Sequence, residues 1–357
     1  MTMLTCLLLT GLSGRVCAAD WETALDIPHL RDTVPKEAED ILGQRDPLKP
    51  PDGTILRRIR DKLLTEWEKT FPEELKTGAF LVLIAVLVSL GCSFCTSLNG
   101  EKFVLLAGIT VISAYVLSDF QTFLHTELSS LESLSDFSKA LLPTLTAAAA
   151  AGGAVTGSAA RYAATMLAMD GLMTVAQSIL SPLICAMAAL TAANAALEHP
   201  TLLSAGKLVK TVCSALLILI AFAFTLWISF TGILNGTVDA ATTRAAKTAV
   251  SAALPVVGSV ISDAAGSLAA AANTVRNSIG IFGLIAVLAV CIGPFLRLLL
   301  RYLAFKLAGA AAECVTDRRL SALINGLGDC FGFILALNGC GALMLFVSVF
   351  SMMRCTV

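Results

Sequence analysis

Eight residues of this chain are of types that would matter at membrane depth. Lys247, Pro255, Gly258 and Asp263 lie in one segment, 247–266 (KTAVSAALPVVGSVISDAAG). Pro143, Gly152 and Gly153 lie in a second, 141–158 (LLPTLTAAAAAGGAVTGS), and Asp170 follows it. Hydrocarbon offers no hydrogen bonds, so a charged side chain or an interrupted backbone there must lie against protein or water. Two Pro-broken, small-residue segments in the two halves of a chain are the pattern of a translocation site. Close helix packing through small residues is the other reading. Lys247 and Arg276 are candidate ion-pair partners for Asp263 across Pro255, and Arg161 is the candidate for Asp170. These eight are the candidate path-lining or structural-break residues.

Enzyme chemistry is not indicated. The three histidines (His29, His125, His199) are far apart, with no metal-ligand spacing around them. Ala205-Gly206-Lys207-Leu208 lacks the upstream Gly and the following Ser or Thr of a phosphate loop, so any ATP-derived energy is expected from another subunit. Cys92-Ser-Phe-Cys95 has redox spacing but sits in an apolar stretch without a second pair. Most of the eleven cysteines lie in such stretches, where a thiol behaves as a small hydrophobe. No cofactor and no metal are expected. GxxxG spacing at Gly153–Gly157, Gly232–Gly236 and Gly328–Gly332 is read as helix contact.

The elements that would position these residues are membrane helices. The chain is 56% hydrophobic and 14% charged, with a mean hydropathy of +0.81, so the expected class is all-α and polytopic, with a short exported polar segment and broken or re-entrant helices. A formal net charge of -1 argues against a nucleic-acid binder, which would show a basic face. Of the 51 charged residues (25 Lys and Arg with 26 Asp and Glu), 24 lie within 20–77, which separates a polar head from a membrane body.

Residues 1–19 read as a signal peptide: an apolar core at 4–12 precedes Val16-Cys17-Ala18, a small-residue cleavage site. The absence of a basic residue before that core keeps a retained anchor as the alternative. Residues 20–77 form the exported segment. Within it, Ile55, Ile59, Leu63, Trp67 and Phe71 recur at helical spacing, predicting an amphipathic helix that Asp52 or Thr54 begins and Pro72 ends.

Spans are predicted at about 78–98, 103–118, 140–160, 165–197, 212–234, 279–300 and 330–352. The first two form a hairpin about a turn at 99–102, and an acidic external loop is expected over 119–139. Asp170 and Pro182 make 165–197 two pieces or a broken helix. Lys207 and Lys210, with Arg297, Arg301, Lys306, Arg318 and Arg319, place the ends they mark in the cytoplasm. That orientation gives six or eight crossings and makes 247–266 a re-entrant or interfacial element.

The run AKTAVSAALPVVGSVISDA, with VRNSIGIFGLIAVLAVCIGPFLRLLLRYLAFKLAGAAAE after it, resembles the stage III sporulation protein AE family. LLPTLTAAAAAGGAVTGSAA, ILSPLICAMAALTAA and VTDRRLSALINGLGDCFGFILAL resemble matching parts of that family, so that the resemblance spans roughly 138–350. Its most specific part is Lys247, Pro255, Val256, Gly258 and Asp263, with Gly280, Gly283 and Pro294. The resemblance implies a non-enzymatic, multi-pass subunit of the channel or secretion-like complex joining mother cell and forespore. It also implies a place in the mother-cell membrane, beside a secretion-type ATPase and ring-forming subunits. Self-association is left open. The alternatives are an ion-coupled secondary transporter using Asp170 or Asp263, and a membrane scaffold that transports nothing.

Overall fold

The computed structural model describes residues 25, 27–42, 47, 54–95, 98–253 and 258–354, except the side chains of 36, 37, 40, 98 and 231–265. The chain is a polytopic helical membrane protein: no strand occurs among the described residues, and six helices are long and apolar enough to cross a bilayer. Two short helices, α1 (Ile27–Asp32) and α2 (Lys36–Leu42), precede α3 (Ile55–Phe94) and α4 (Leu98–Ala151). α5 (Val155–Val175) continues through a π-helical turn (Ala176–Leu180) into α6 (Ser181–Leu197). α7 (Pro200–Ala253), α8 (Gly258–Val315) and α9 (Arg318–Met353) complete the bundle.

Several helices outrun the expected spans because the residues expected to stop them do not. Pro72 lies inside α3, on an exposed face where the carbonyl it frees is open to the surroundings, so the amphipathic helix and the first span are one 40-residue rod. Thr54 precedes that helix without capping it through its side chain. The turn expected at 99–102 falls earlier: Cys95 is extended, and 99–102 are already in α4.

The acidic segment 119–139, expected as a loop, is helical throughout. Phe120, Leu124, Glu127, Leu131, Leu134 and Ser138 recur every three or four residues and are buried, while His125, Glu132 and Asp136 face outward. Pro143 sits exposed within the same helix and does not break it. The break comes at Gly152–Ala154, where Gly153 takes a φ of 97° that a side chain would strain. The 140–160 span is therefore divided between α4 and α5. The irregularity expected in 165–197 is the π-helical turn, where the Ser181 amide reaches back to the Ala176 carbonyl one residue before Pro182.

α8 and α9 are the most enclosed of the six apolar helices, and α7 the least. Glycine lets α8 and α9 approach. A Cβ at Gly328 would stand 3.0 Å from Cβ of Phe305, and one at Gly332 would stand 3.0 Å from the Tyr302 ring. This GxxxG pair is thus a helix contact, as expected from its spacing.

One buried cation joins four helices. Arg301 of α8 donates from Nε to Glu74 of α3, and both side chains are enclosed. Asp119 of α4 stands 3.7 Å from the same guanidinium, which lies 4.3 Å above the Phe123 ring. Phe331 of α9 packs edge-on to Phe120 and Phe123 and tilted against Phe305. Farther along, Asn338 donates to Glu127 at 2.8 Å, and Thr165 shares a hydrogen bond with Ser348, which tie α9 to α4 and α5. A charge removed from water and then stripped of its partner is costly, whereas replacing the whole pair with apolar groups is not.

Two outcomes follow. Glu74→Ala should destabilise the detergent-solubilised protein by about 3–5 kcal/mol, read as a lowered unfolding midpoint. Glu74→Leu combined with Arg301→Met should recover most of that loss, and a double variant no better than the single one would contradict the pairing. Separately, Gly153→Ala should cost about 1–2 kcal/mol, whereas Gly171→Ala, inside α5 with nothing within 4 Å, should be stabilising by up to about 1 kcal/mol in the same assay.

Candidate functional site

Three helix–helix connections gather at one end of the bundle: α3 to α4, α6 to α7 and α8 to α9. The Ser89 hydroxyl donates to the Val315 carbonyl at 2.6 Å, and Arg319 pairs with Glu198, so the three lie together. Between the ends of α6, α7 and α9 opens a cleft of about 830 Å³. Its charged lining comprises Glu198, Lys207, Lys210, Asp317, Arg319 and Asp329, with Arg318 and His199 at its edge.

Each wall has a local cause. Helix α6 ends at Glu198, whose φ of 49° and ψ of 41° put a non-glycine residue in the left-handed region; its amide still bonds to the Asn194 carbonyl. That strained position turns the chain within two residues and points the Glu198 carboxylate to Arg319. Asp317 caps α9 by accepting from the Arg319 amide at 3.1 Å. One turn of α7 places Lys207 and Lys210 on the same side.

Deeper in, Asp329 accepts from Lys210 and from Lys306, each at 2.6 Å, and Lys306 also reaches the Asn325 carbonyl at 3.2 Å. One carboxylate thus holds two ammonium groups from two helices and closes the floor of the cleft. Lys207 and Arg318 are exposed and form no ion pair among the described residues. Against the exposed Asp317 carboxylate they leave the mouth with a net positive charge, suited to an anionic surface rather than to a buried reaction.

The residues singled out from the sequence do not converge here. Asp170 is exposed on α5, where its carbonyl accepts from Thr174 at 2.8 Å. Arg161, nine residues back on the same helix, is buried on the opposite face, so the expected Arg161–Asp170 pair is not formed. Pro143 is exposed mid-helix. Gly152 and Gly153 make the α4–α5 break, and a Cβ at Gly152 would meet Asn273 Oδ1 of α8 at 2.7 Å. Arg276, one turn beyond Asn273, is almost wholly enclosed. Pro255 and the side chains of Lys247 and Asp263 lie outside the described residues, as does Gly258 beyond its place at the start of α8.

Sequence reasoning used Lys207, Lys210, Lys306 and Arg301 only as orientation signals and passed over Asp329, Glu74 and Glu198. The available signal was Asp329 itself, a carboxylate at the edge of an apolar stretch with lysines at the edges of two others.

No solved structure is significantly similar to this chain. A curated relative, "Stage III sporulation protein AE" of Bacillus subtilis (strain 168), is 23% identical over 239 residues. That match covers 67% of this chain and 60% of the relative. The family described as stage III sporulation protein AE matches residues 52–356, which takes in all six apolar helices and the cleft, and the chain belongs to that family.

Proposed function

We propose that this protein is a membrane subunit of a channel or secretion-like complex between mother cell and forespore, needed for forespore development, and that its cleft is the port at which a cytosolic subunit docks. It resides in the mother-cell membrane beside other stage III sporulation membrane proteins, including a secretion-type ATPase and ring-forming subunits. Family membership supports the role in sporulation, and six apolar helices support the multi-pass membrane setting. The observation that carries the reading is the cleft itself: a wide, charged opening with a positive mouth at the end of the bundle marked by Lys207, Lys210, Arg318 and Arg319. Basic residues favour the cytoplasmic side, where an ATPase would be.

A port of this kind needs fixed walls and a free rim. The Asp329–Lys210–Lys306 triad and the Glu198–Arg319 pair supply the walls, while Lys207 and Arg318 supply the rim. Lys247, Pro255, Gly258 and Asp263 remain the first residues to examine as lining of a path, since they combine charge with a helix-breaking Pro.

Reversing the rim with Lys207→Glu and Arg318→Glu should weaken capture of the ATPase from sporulating-cell membranes by about 1–2 kcal/mol, read as reduced co-purification, and should lower the yield of heat-resistant spores. Membrane level and unfolding midpoint should stay at wild-type values. Unchanged co-purification and spore yield would contradict the docking role.

A further inference from the structure

The level of Arg301 divides the bundle into two apolar surfaces that extend in opposite directions. α3 and α8 run parallel with a fixed register: Glu74 meets Arg301, Gly78 meets Ala304, and Ser89 meets Val315. On this side the apolar arms 78–94 and 103–118 start at the Arg301 level and run toward the cleft end. Phe80, Leu83, Leu87, Phe94 and Phe103 are all exposed along them. On the far side, Gly332 lies at Tyr302, Gly339 at Phe295, and Lys210 at Asp329. There the apolar stretches of α7 and α9 start at the same level and run away from the cleft, with Ile218, Phe222, Trp227, Phe230 and Phe350 exposed.

Polarity alternates accordingly. Opposite the exposed belt of α7 and α9, the α3–α4 side exposes Arg57, Arg60, Asp61, Glu68, Glu132 and Asp136, interleaved on α3 with exposed Leu56, Leu63, Trp67 and Leu75. Opposite the exposed hairpin stand Lys207, Arg318 and Arg319. Each hairpin arm is about 16–17 residues, roughly 25 Å, and is bounded by charge at both ends: Glu74 and Asp119 at one, Glu101 and Lys102 at the other. That is close to the thickness of one hydrocarbon layer, about 30 Å. The apolar stretches of α7 and α9, 212–234 and 330–352, are taller, roughly 35 Å each. Stacked end to end along the helix axes, the two surfaces need about 60 Å, which no flat bilayer crossed at right angles supplies.

We propose that the bundle lies obliquely in the membrane, so that one hydrocarbon layer covers the α3–α4 hairpin on the cleft side of Arg301 and α7 with α9 on the other side. Lipid is the occupant that fits, because each surface is bilayer-high, lacks ionised residues along its length and ends in charge. The helix lengths suit this placement: α4, α7 and α8 have 54, 54 and 58 residues, about 80 Å or more each. The inclination falls at or beyond the steep end of the range of about 0–40° found for membrane helices. The polar half of α3 then stays in water although it stands level with lipid-covered α7. The proposal rests on the membrane setting alone and not on the docking role.

The chain's own tryptophans test it. Trp67 of α3 and Trp227 of α7 are both exposed, and the registers above place them within about 10 Å of each other in height along the bundle. Leu87 is twenty residues beyond Trp67 on the same helix, about 30 Å away. Single-tryptophan proteins would be reconstituted in vesicles of phosphatidylcholine with brominated acyl chains: Trp227 alone, Trp67 alone, and Leu87→Trp or Leu83→Trp with the native tryptophans changed to Phe. Trp227 and both hairpin tryptophans should lose most of their emission to bromine, whereas Trp67 should be spared by bromine and quenched by iodide. Quenching of Trp67 and Trp227 together with a spared hairpin would mean an upright bundle and overturn the proposal. A quenched hairpin with a spared Trp227 would overturn it equally. Hairpin tryptophans shielded from both bromine and iodide would mean that a second protein surface covers the hairpin, and that too would refute it.

Discussion

Arg301 is the constraint on which the rest of the structure depends. A guanidinium enclosed in an apolar bundle must keep its counter-ion, so Glu74 cannot slide along α8 without stranding a charge. That single requirement sets the register of α3 against α8. The register then decides where the α3–α4 hairpin stands: its apolar arms lie beside 304–315 rather than beside the apolar middle of α8. The Phe120, Phe123, Phe305 and Phe331 cluster packs around the same residue and carries the register into α4 and α9.

The cleft follows from a second fixed set. Glycines at 328 and 332 bring α9 against α8, and the approach puts Asp329 within 2.6 Å of Lys306. Lys210 of α7 closes on the same carboxylate from the other side. A left-handed Glu198 ends α6 abruptly enough for its side chain to reach Arg319. The walls are thus held by charges that satisfy one another, which leaves Lys207 and Arg318 available to something outside the chain.

Helical class and membrane character were legible because composition and apolar length decide them. The Gly328–Gly332 contact was legible from spacing. Helix limits were not, since Pro72 and Pro143 both sit on exposed faces where a missing amide costs little. The acidic stretch 119–139 was misread as a loop because its buried stripe includes Glu127 and Ser138, polar residues satisfied by Asn338 and by the Ser135 carbonyl. Charge-pair partners were the least legible part. Glu74 and Arg301 are separated by 227 residues, and nothing local to either one names the other.

The register between α3 and α8 can be measured directly in membranes. A Gly78→Cys, Ala304→Cys pair should form a disulfide on mild oxidation, since a Cβ at Gly78 would stand 3.5 Å from the Ala304 Cβ. A pair at Gly78 and Ala286, five turns back on the same face of α8, should not. Cross-linking of the second pair and not the first would place the hairpin beside the apolar middle of α8, and would contradict the register that Arg301 is held to impose.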